Sequence, residues 1–579
     1  MRRAAIILLS LALSNAVAEA QEENPGRYCK PTQPCWPKEN EWQALGAKLK
    51  GKLEKPQSPL KACFEAIKGR DCATALTNLQ SPYYLQDQSG GTQSLGWLGA
   101  WEAAPSRYAV VARAASDIAA AVDFARQHHL RLVIKGTGHD YLGRSNAPDS
   151  LLIWTHEMRA IELHDAFVPA GCAARAGVPA VSVGAGTRWL EAYDAVTTKH
   201  QRYVQGGGCT SVGAAGGFLQ GGGFGSWSKK YGIAAASLLE AEVVTADGKI
   251  VIANACQNRD LFWALRGGGG GTFGVVTRVT LMTHPLPKTF GAVAGMIEAK
   301  TDSAFAELIE RFLTFYGERL NNEHWGEKVG IGKDSLELGL VFQGLSAAEA
   351  QAVWQPLREW IDARPRSYTM KAQFIELAPD KMWDYTFLAR TVPGVVATND
   401  ATRPLWWWKT NEEELLMYWI AYQSRWIPGD RFTAPAAPAF ARVLFAASRH
   451  AWVSLHFNKG QAGAAPEALA RDRETSMNPA VFTAAALAII ATGRTVDPAH
   501  PLDRVKAVKA RDEIAAAMQI IRQATPDAGS YVNETDYFEP DWKHEFWGEN
   551  YPKLLAIKHK YDPSGLFFCH HCVGSDEPH

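Results

Sequence analysis

Two patterns of hydrophobic residues divide this chain. In the first, short apolar runs of strand length surround one helical period: Tyr108-Ala-Val-Val-Ala112 predicts a strand, Ser116 to Gln127 a helix opened by a Ser/Asp N-cap, and Leu130-Arg-Leu-Val-Ile134 a second strand. Leu151-Leu-Ile153 and Val181-Ser-Val183 continue this β-α-β opening. Leu239 to Val244 reads as a strand running into the Asp247-Gly248 turn, Val275 to Met282 as a closing strand, and Pro285-Leu-Pro287 as the end of the unit. The second pattern covers Lys288 to Thr525, with strands such as Gly291 to Ile297, Leu336 to Phe342 and Trp452 to Phe457 among helices such as Ala304 to Gly317. It predicts a separate antiparallel sheet with helices on one side, closing over the first unit. Ala434 to Ala441 reads as a loop or helix start, and no repeat is present. The class expected is α+β.

Three glycine-rich segments punctuate the first unit. Lys135-Gly-Thr-Gly-His-Asp-Tyr-Leu-Gly-Arg-Ser145 follows an apolar run, Gly206 to Gly225 (GGGCTSVGAAGGFLQGGGFG) holds a lone cysteine, and Leu265 to Val276 holds five consecutive glycines. Glycine lets main-chain N–H groups approach a ligand closely and supplies positive φ angles, so these loops suit a phosphate or a flat cofactor. A dinucleotide-binding Rossmann unit would need G-x-G-x-x-G opening a helix directly after the first strand, with an acidic residue about 20 positions on. The Gly136-Thr-Gly-His-Asp-Tyr141 loop fits that poorly.

Together the segments resemble the flavoprotein superfamily of vanillyl-alcohol oxidase and p-cresol methylhydroxylase, in its berberine-bridge-enzyme-like branch. The likeness is strongest from Arg107 to Pro287 and resumes in Tyr531-Val-Asn-Glu534 and Asn550 to Lys558. It implies a two-part α/β FAD-binding domain of the p-cresol methylhydroxylase type at 104–287, a substrate-binding domain at 288–525, and a C-terminal segment, 526–579, returning to the flavin. It also implies covalent FAD, bonded through His139 to the flavin 8α carbon and through Cys209 to C6. The cofactor contacts it implies are Gly136, Thr137, Gly138, Asp140, Tyr141 and Ser145 in the first loop; Gly208, Thr210, Val212, Gly213, Gly217 and Gly223 in the second; Gly274 and Val276 in the third; and Asn533. Two electron-withdrawing attachments raise the flavin potential, which favours oxidation of a poor hydride donor.

Residues 1–20 read as a signal peptide: Met1-Arg-Arg3, the apolar run Ala4 to Leu13, and an Ala18-Glu-Ala20 site with cleavage after Ala20. The run is shorter than the roughly 20 residues that span a bilayer, and no later run of 18 apolar residues follows, so a secreted or periplasmic protein without membrane insertion is expected. Arg2-Arg3 is compatible with general or twin-arginine export. Setting Cys209 aside leaves eight of the nine cysteines, an even number suited to an oxidising compartment. In the Cys- and Pro-rich segment 21–103, Cys29, Cys35, Cys63 and Cys72 form two bridges in one of three connectivities. Cys569-His-His-Cys572 admits a local disulfide, free thiols or a metal, but a zinc site would need a second ligand pair that is not evident, so no metal is expected.

Sixty basic and sixty acidic residues balance, and no basic block interleaved with aromatics is present, which argues against nucleic-acid binding. The partners expected are a small-molecule donor and dioxygen. Trp406-Trp-Trp408, Trp419 and Trp426 suit either an aromatic binding wall or core packing. Oxidation of an alcohol needs a group to take the hydroxyl proton. Candidates are Tyr531, Glu534 (where many relatives carry a second tyrosine), and His456 and Lys459 at a strand end, with Asn458 on the face of His456. Asn533-Glu-Thr535 matches a glycosylation sequon, but burial beside the flavin opposes its use. Val212, three residues after Cys209, lines the dioxygen path in such relatives, and valine there resembles the oxidases. The activity implied is an FAD-dependent oxidase of an alcohol, a sugar hemiacetal or a similar donor; the alternatives are a dehydrogenase or oxidative cyclase with another acceptor, and a non-catalytic flavin-fold binding protein.

Overall fold

The structure, a computed structural model, describes residues 27–399 and 405–577; the expected signal peptide lies outside them. Three principal sheets organise the chain. In the first, Tyr108–Val111, Ser150–Trp154 and Arg131–Lys135 run parallel, and Lys52–Glu54 adds an antiparallel edge. Every residue of Tyr108–Val111 and Ser150–Trp154 is buried, as expected for parallel strands covered on both faces. The crossover helix is Ala115–Gln127, starting one residue before Ser116. Its cap is Asp117 rather than a Ser116 hydroxyl: the buried carboxylate accepts from the N–H groups of Arg113 and Ala114 and also from those of Lys50 and Gly51, so it starts the helix and ties down the N-terminal segment.

The second sheet is antiparallel and six-stranded, in the order Ile250–Asn254, Leu238–Val244, Val275–Pro285, Val178–Gly184 and Ile161–Phe167, with Arg202–Val204 paired to the far end of Val275–Pro285. The third has nine strands. Along Ser335–Gln343, Leu336, Leu338, Leu340 and Phe342 are all buried against helices Asp302–Phe315 and Ala347–Asp362, the period-two pattern of a sheet covered on one side. Farther along the sheet Trp419, Tyr422, Leu487 and Ile489 instead join the core that contains the second sheet. The expected sheet covered by helices is thus present, and it shares a core with the unit it covers.

Segment 21–103 contributes to both units. Lys52–Glu54 extends the first sheet, while Ser94–Trp97 pairs in parallel with Met417–Pro428 of the third. Four disulfides join Cys29 to Cys35, Cys63 to Cys72, Cys172 to Cys256 and Cys569 to Cys572, leaving Cys209 as the free thiol among the described residues. The local option at Cys569 and Cys572 is the one realised. Among the described residues no cluster suits a metal ion, and no helix is long and apolar enough to cross a membrane.

Candidate functional site

A cavity of about 940 Å³ opens where the glycine-rich loops, the nine-stranded sheet and the C-terminal segment meet. That is at the upper end of the roughly 300–1,000 Å³ usual for small-molecule sites. The first loop leaves the C-terminal end of Arg131–Lys135, and its Gly136, Thr137, Gly138, His139, Asp140, Tyr141 and Ser145 all line the cavity. From the second loop come Gly208, Cys209, Val212, Gly213 and Gly217; from the C-terminus, Tyr531, Asn533 and Glu534; from the third sheet and the turn after it, His456, Asn458 and Lys459.

Four residues expected at the cofactor lie outside this lining. Thr210 is buried and donates its hydroxyl to the Trp406 carbonyl at 2.9 Å, so it anchors the loop from behind. Gly223, at φ +72°, donates its N–H to the Tyr531 hydroxyl. Gly274 packs against Val243 and Val244, and Val276 is a buried strand residue. The five tryptophans likewise lie outside the lining and serve packing: Trp406, Trp407, Trp419 and Trp426 are buried, and Trp408 donates to the Gly208 carbonyl.

The lining fits a large ligand with polar groups. A Cβ placed on Gly208, Gly216 or Gly217 would meet no protein atom within 4 Å, so protein packing does not demand glycine there; the open space belongs to the cavity. Both polar side-chain atoms of Asn146, Gln220 Oε1 and Trp101 Nε1 line the cavity, are buried, and have no protein partner. Such groups are costly to bury unless a ligand satisfies them. The two loops are locked together by the Gly213 N–H donating to Thr137 Oγ1 at 3.0 Å, and the first is braced by Asp140, which accepts from the N–H and Nε of Arg144 at 2.7 Å each.

His139 and Cys209 converge on Ser211. His139 Nε2 is 3.1 Å from Ser211 Oγ, and Cys209 Sγ is 3.5 Å from the same oxygen. Gln86, from the N-terminal segment, donates to the Ser211 carbonyl at 2.7 Å and lies 2.9 Å from His139 Nε2. Burial pushes the imidazole down to about 4 and the thiol up to about 11, so both are neutral near pH 7.

Another part of the lining is charged. Glu414 accepts from Tyr141 Oη and Gln93 Nε2, each at 3.1 Å, and no cation pairs with it among the described ion pairs; burial raises its pKa above the usual 4.5. Lys459 pairs with Glu534. Glu327 accepts from Ser226 Oγ at 2.5 Å while its backbone sits at φ +68°, a left-handed value uncommon for a non-glycine residue. His456 is 3.0 Å from Ser454 Oγ and is held well below its ordinary pKa by burial and by Lys459 and Lys328. The strand ends at His456, and Asn458 reaches the cavity from a 3₁₀ turn rather than by strand alternation. The Tyr531 hydroxyl accepts from Asn533 Nδ2 at 2.9 Å and from Gly223, and burial pushes it well above the ordinary phenol value. Because Asn533 Nδ2 also donates to the Gly217 carbonyl at 2.9 Å, the amide of the sequon is engaged inside the protein.

Gln86, Gln93, Ser211, Glu327 and Glu414 were not among the sequence candidates. Ser211 lies two residues from Cys209 in a recognised loop and was within reach of sequence reasoning. The others carry no local signal, because only the tertiary fold brings them to the loops.

Residues 106–254 match the model of an FAD binding domain, and residues 530–574 the model described as berberine and berberine like. An FAD-linked oxidoreductase of Trichophyton verrucosum is 32% identical, with 97% of this chain and 93% of the relative covered. A VAO-type flavoprotein oxidase of Thermothelomyces thermophilus is 30% identical over 99% and 97%. Among solved structures, a VAO-type flavoprotein of Myceliophthora thermophila superposes with a TM-score of 0.79 at 25% identity, covering 95% of this chain and 97% of that one. The glucooligosaccharide oxidase of Acremonium strictum, whose structure is described with a 6-S-cysteinyl, 8α-N1-histidyl FAD, shares the fold at a TM-score of 0.64 and 22% identity, covering 85% and 95%. The chain thus belongs to the berberine-bridge-enzyme-like FAD-linked oxidoreductases of the vanillyl-alcohol oxidase superfamily.

Proposed function

We propose that this protein is an exported oxidase whose FAD is bonded twice to the chain, through His139 and Cys209, and that it oxidises an alcohol, a sugar hemiacetal or a related small donor with dioxygen as acceptor. The observation that carries this reading is the meeting of His139 and Cys209 at Ser211, beside a cavity that His139, Cys209 and the carboxylate of Glu414 all line. Bound FAD supplies the two-electron acceptor.

The residues then divide the work. Both hydrogen bonds of the His139 ring fall on Nε2, leaving Nδ1 for attachment. Gly136, Thr137, Gly138, Asp140, Tyr141 and Ser145 hold the cofactor from the first loop; Gly208, Val212, Gly213 and Gly217 hold it from the second; Asn533 does so from the C-terminus. Thr210, Gly223, Gly274 and Val276 support these loops from behind. Glu414 takes the donor's hydroxyl proton: burial makes it a stronger base than an exposed glutamate, and Tyr141 orients it. Tyr531 suits the base role less, because its raised pKa keeps the phenol protonated; it positions Asn533 and orients the donor. Neutral His456 and the Lys459–Glu534 pair supply hydrogen bonds to the donor's remaining polar groups. Val212 borders the space beside the flavin through which dioxygen arrives. The four disulfides and the N-terminal leader support export.

A panel of alcohols, sugars, phenolics and amines, offered under air with peroxide as the readout, tests the reading. At least one hydroxylated donor is expected to yield peroxide. Donors that bleach the flavin without air but give no peroxide in air would make the protein a dehydrogenase; no bleaching by any donor would leave it a flavin-binding protein.

A further inference from the structure

Cys209 poses a chemical problem. Its thiol is half-buried and, with its pKa pushed up to about 11, protonated near pH 7, and a thiol in that state is a poor nucleophile: the thiolate is the reactive form. Reactive cysteines usually sit beside a cation, but no lysine or arginine is among the groups acting on this one; Glu414 is, and it disfavours the thiolate. What favours the thiolate is Ser211, through its hydroxyl and backbone N–H, together with the Val212 N–H. Ser211 Oγ is also the single side-chain atom hydrogen-bonded to Sγ among the described residues, and it lies 3.1 Å from Nε2 of an imidazole that is neutral near pH 7.

We propose that Ser211 is a positioning residue that relays the Cys209 proton to Nε2 of His139 as Sγ bonds to the flavin ring, with Gln86 holding the imidazole and the serine in register. The proposal rests on attachment at both residues. In the step, the Sγ–H proton passes to Ser211 Oγ while the Ser211 hydroxyl proton passes to Nε2. The Sγ–C6 bond forms as the C6–H bond gives up its proton to solvent. The electron pair of that C–H bond stays in the ring and leaves to dioxygen, the same acceptor as in turnover, which becomes hydrogen peroxide. Neither ionised partner has to exist in advance, which accounts for a neutral thiol and a neutral imidazole serving where no lysine or arginine is among the groups acting on the thiol.

The arrangement orders the two attachments. His139 attached through Nδ1 keeps a lone pair on Nε2, which is the atom that Gln86 and Ser211 address. The histidyl bond therefore leaves the relay intact and holds the ring still, so it precedes the cysteinyl bond. Gln86 contributes from the N-terminal segment, its amide donating to the Ser211 carbonyl while lying 2.9 Å from Nε2.

Peptide mapping by mass spectrometry after acid precipitation reads each attachment separately, without reference to turnover. In the wild type both the His139 and the Cys209 peptides should carry flavin. In Ser211→Ala the His139 peptide should remain loaded, whereas the Cys209 peptide should fall to about a tenth of its wild-type loading or less; Ser211→Thr, which keeps the hydroxyl, should restore at least half. Equal loading of Cys209 in Ser211→Ala would overturn the relay. Loss in the alanine and threonine variants alike would assign Ser211 to packing and overturn it too. A wild type loaded at His139 alone would instead remove the two-bond reading on which the relay depends.

Discussion

The wall that holds His139 and Cys209 is made of two glycine-rich loops of one unit, while a second, charged part of the lining collects Glu327, Glu414, His456, Lys459 and Glu534 from separate stretches of the third sheet, its connections and the C-terminus. The first wall keeps its two reactive side chains uncharged and leaves open space above its glycines. The second is crowded with carboxylates and an ion pair. A cofactor that never leaves needs close backbone approach, whereas a donor that exchanges at every turnover needs polar groups to recognise it and to move its proton. Under the proposed function, the difference gives binding of the flavin to the local loops and selection of the donor to the assembled wall.

The sharpest way to break this division is Glu414→Gln. It should lower the rate of anaerobic flavin reduction by about 10²- to 10⁴-fold, the usual worth of a positioned base, while leaving flavin attachment as in the wild type. Stopped-flow absorbance and a denaturing gel read the two separately. The pH profile carries the same signature. A base must be ionised, and burial raises the Glu414 pKa above 4.5, so the wild-type reduction rate should fall as pH drops through that raised value. The variant should lose this acid limb.

Next in size is Val212→Leu on the loop wall. An added methylene at a packed site that borders the cavity should slow reoxidation by dioxygen at least about tenfold, roughly 1.4 kcal/mol of barrier, and leave reduction by the donor nearly unchanged. Mixing reduced enzyme with aerated buffer decides it, and equal rates would remove Val212 as the gate. A smaller change tests the coupling within the charged wall. Lys459 lowers the Glu414 pKa, so Lys459→Met should move the acid limb of the reduction profile to higher pH; no movement would separate the two residues. Smallest is Thr210→Val behind the loop. It deletes the bond to the Trp406 carbonyl, which still accepts from the Tyr83 hydroxyl, so the loss of stability should be about 0.5–1.5 kcal/mol in denaturant unfolding, with flavin loading unchanged.

The same division governs how much could be read in advance. Tyr108–Val111, Arg131–Lys135 and the loops around His139 and Cys209 are legible because the strand, the turn and the candidate attachment residue lie within a few positions of one another. The third sheet was legible as strands and helices through its period-two burial, but its parallel strand Ser94–Trp97, drawn from the N-terminal segment, had no such signal. Thr210, Gly223, Gly274 and Val276 sit in the recognised loops but outside the cavity lining, since a motif fixes neighbourhood and the backbone turn fixes which residues reach the cavity. Glu414 and Gln86 owe their place to contacts across long stretches of chain: Tyr141 with Glu414, and Ser211 with Gln86. Within the sequence each is one polar residue among many.

The account turns on the double attachment, and flavin fluorescence in a denaturing gel after acid precipitation addresses it directly. Wild-type protein should keep its flavin on the polypeptide. Cys209→Ala should keep it through the histidyl bond, His139→Ala should keep little of it because the nitrogen that receives the Cys209 proton is gone, and the double variant should release all of it. A wild type that surrenders its flavin to acid, or a double variant that retains it, would contradict the account.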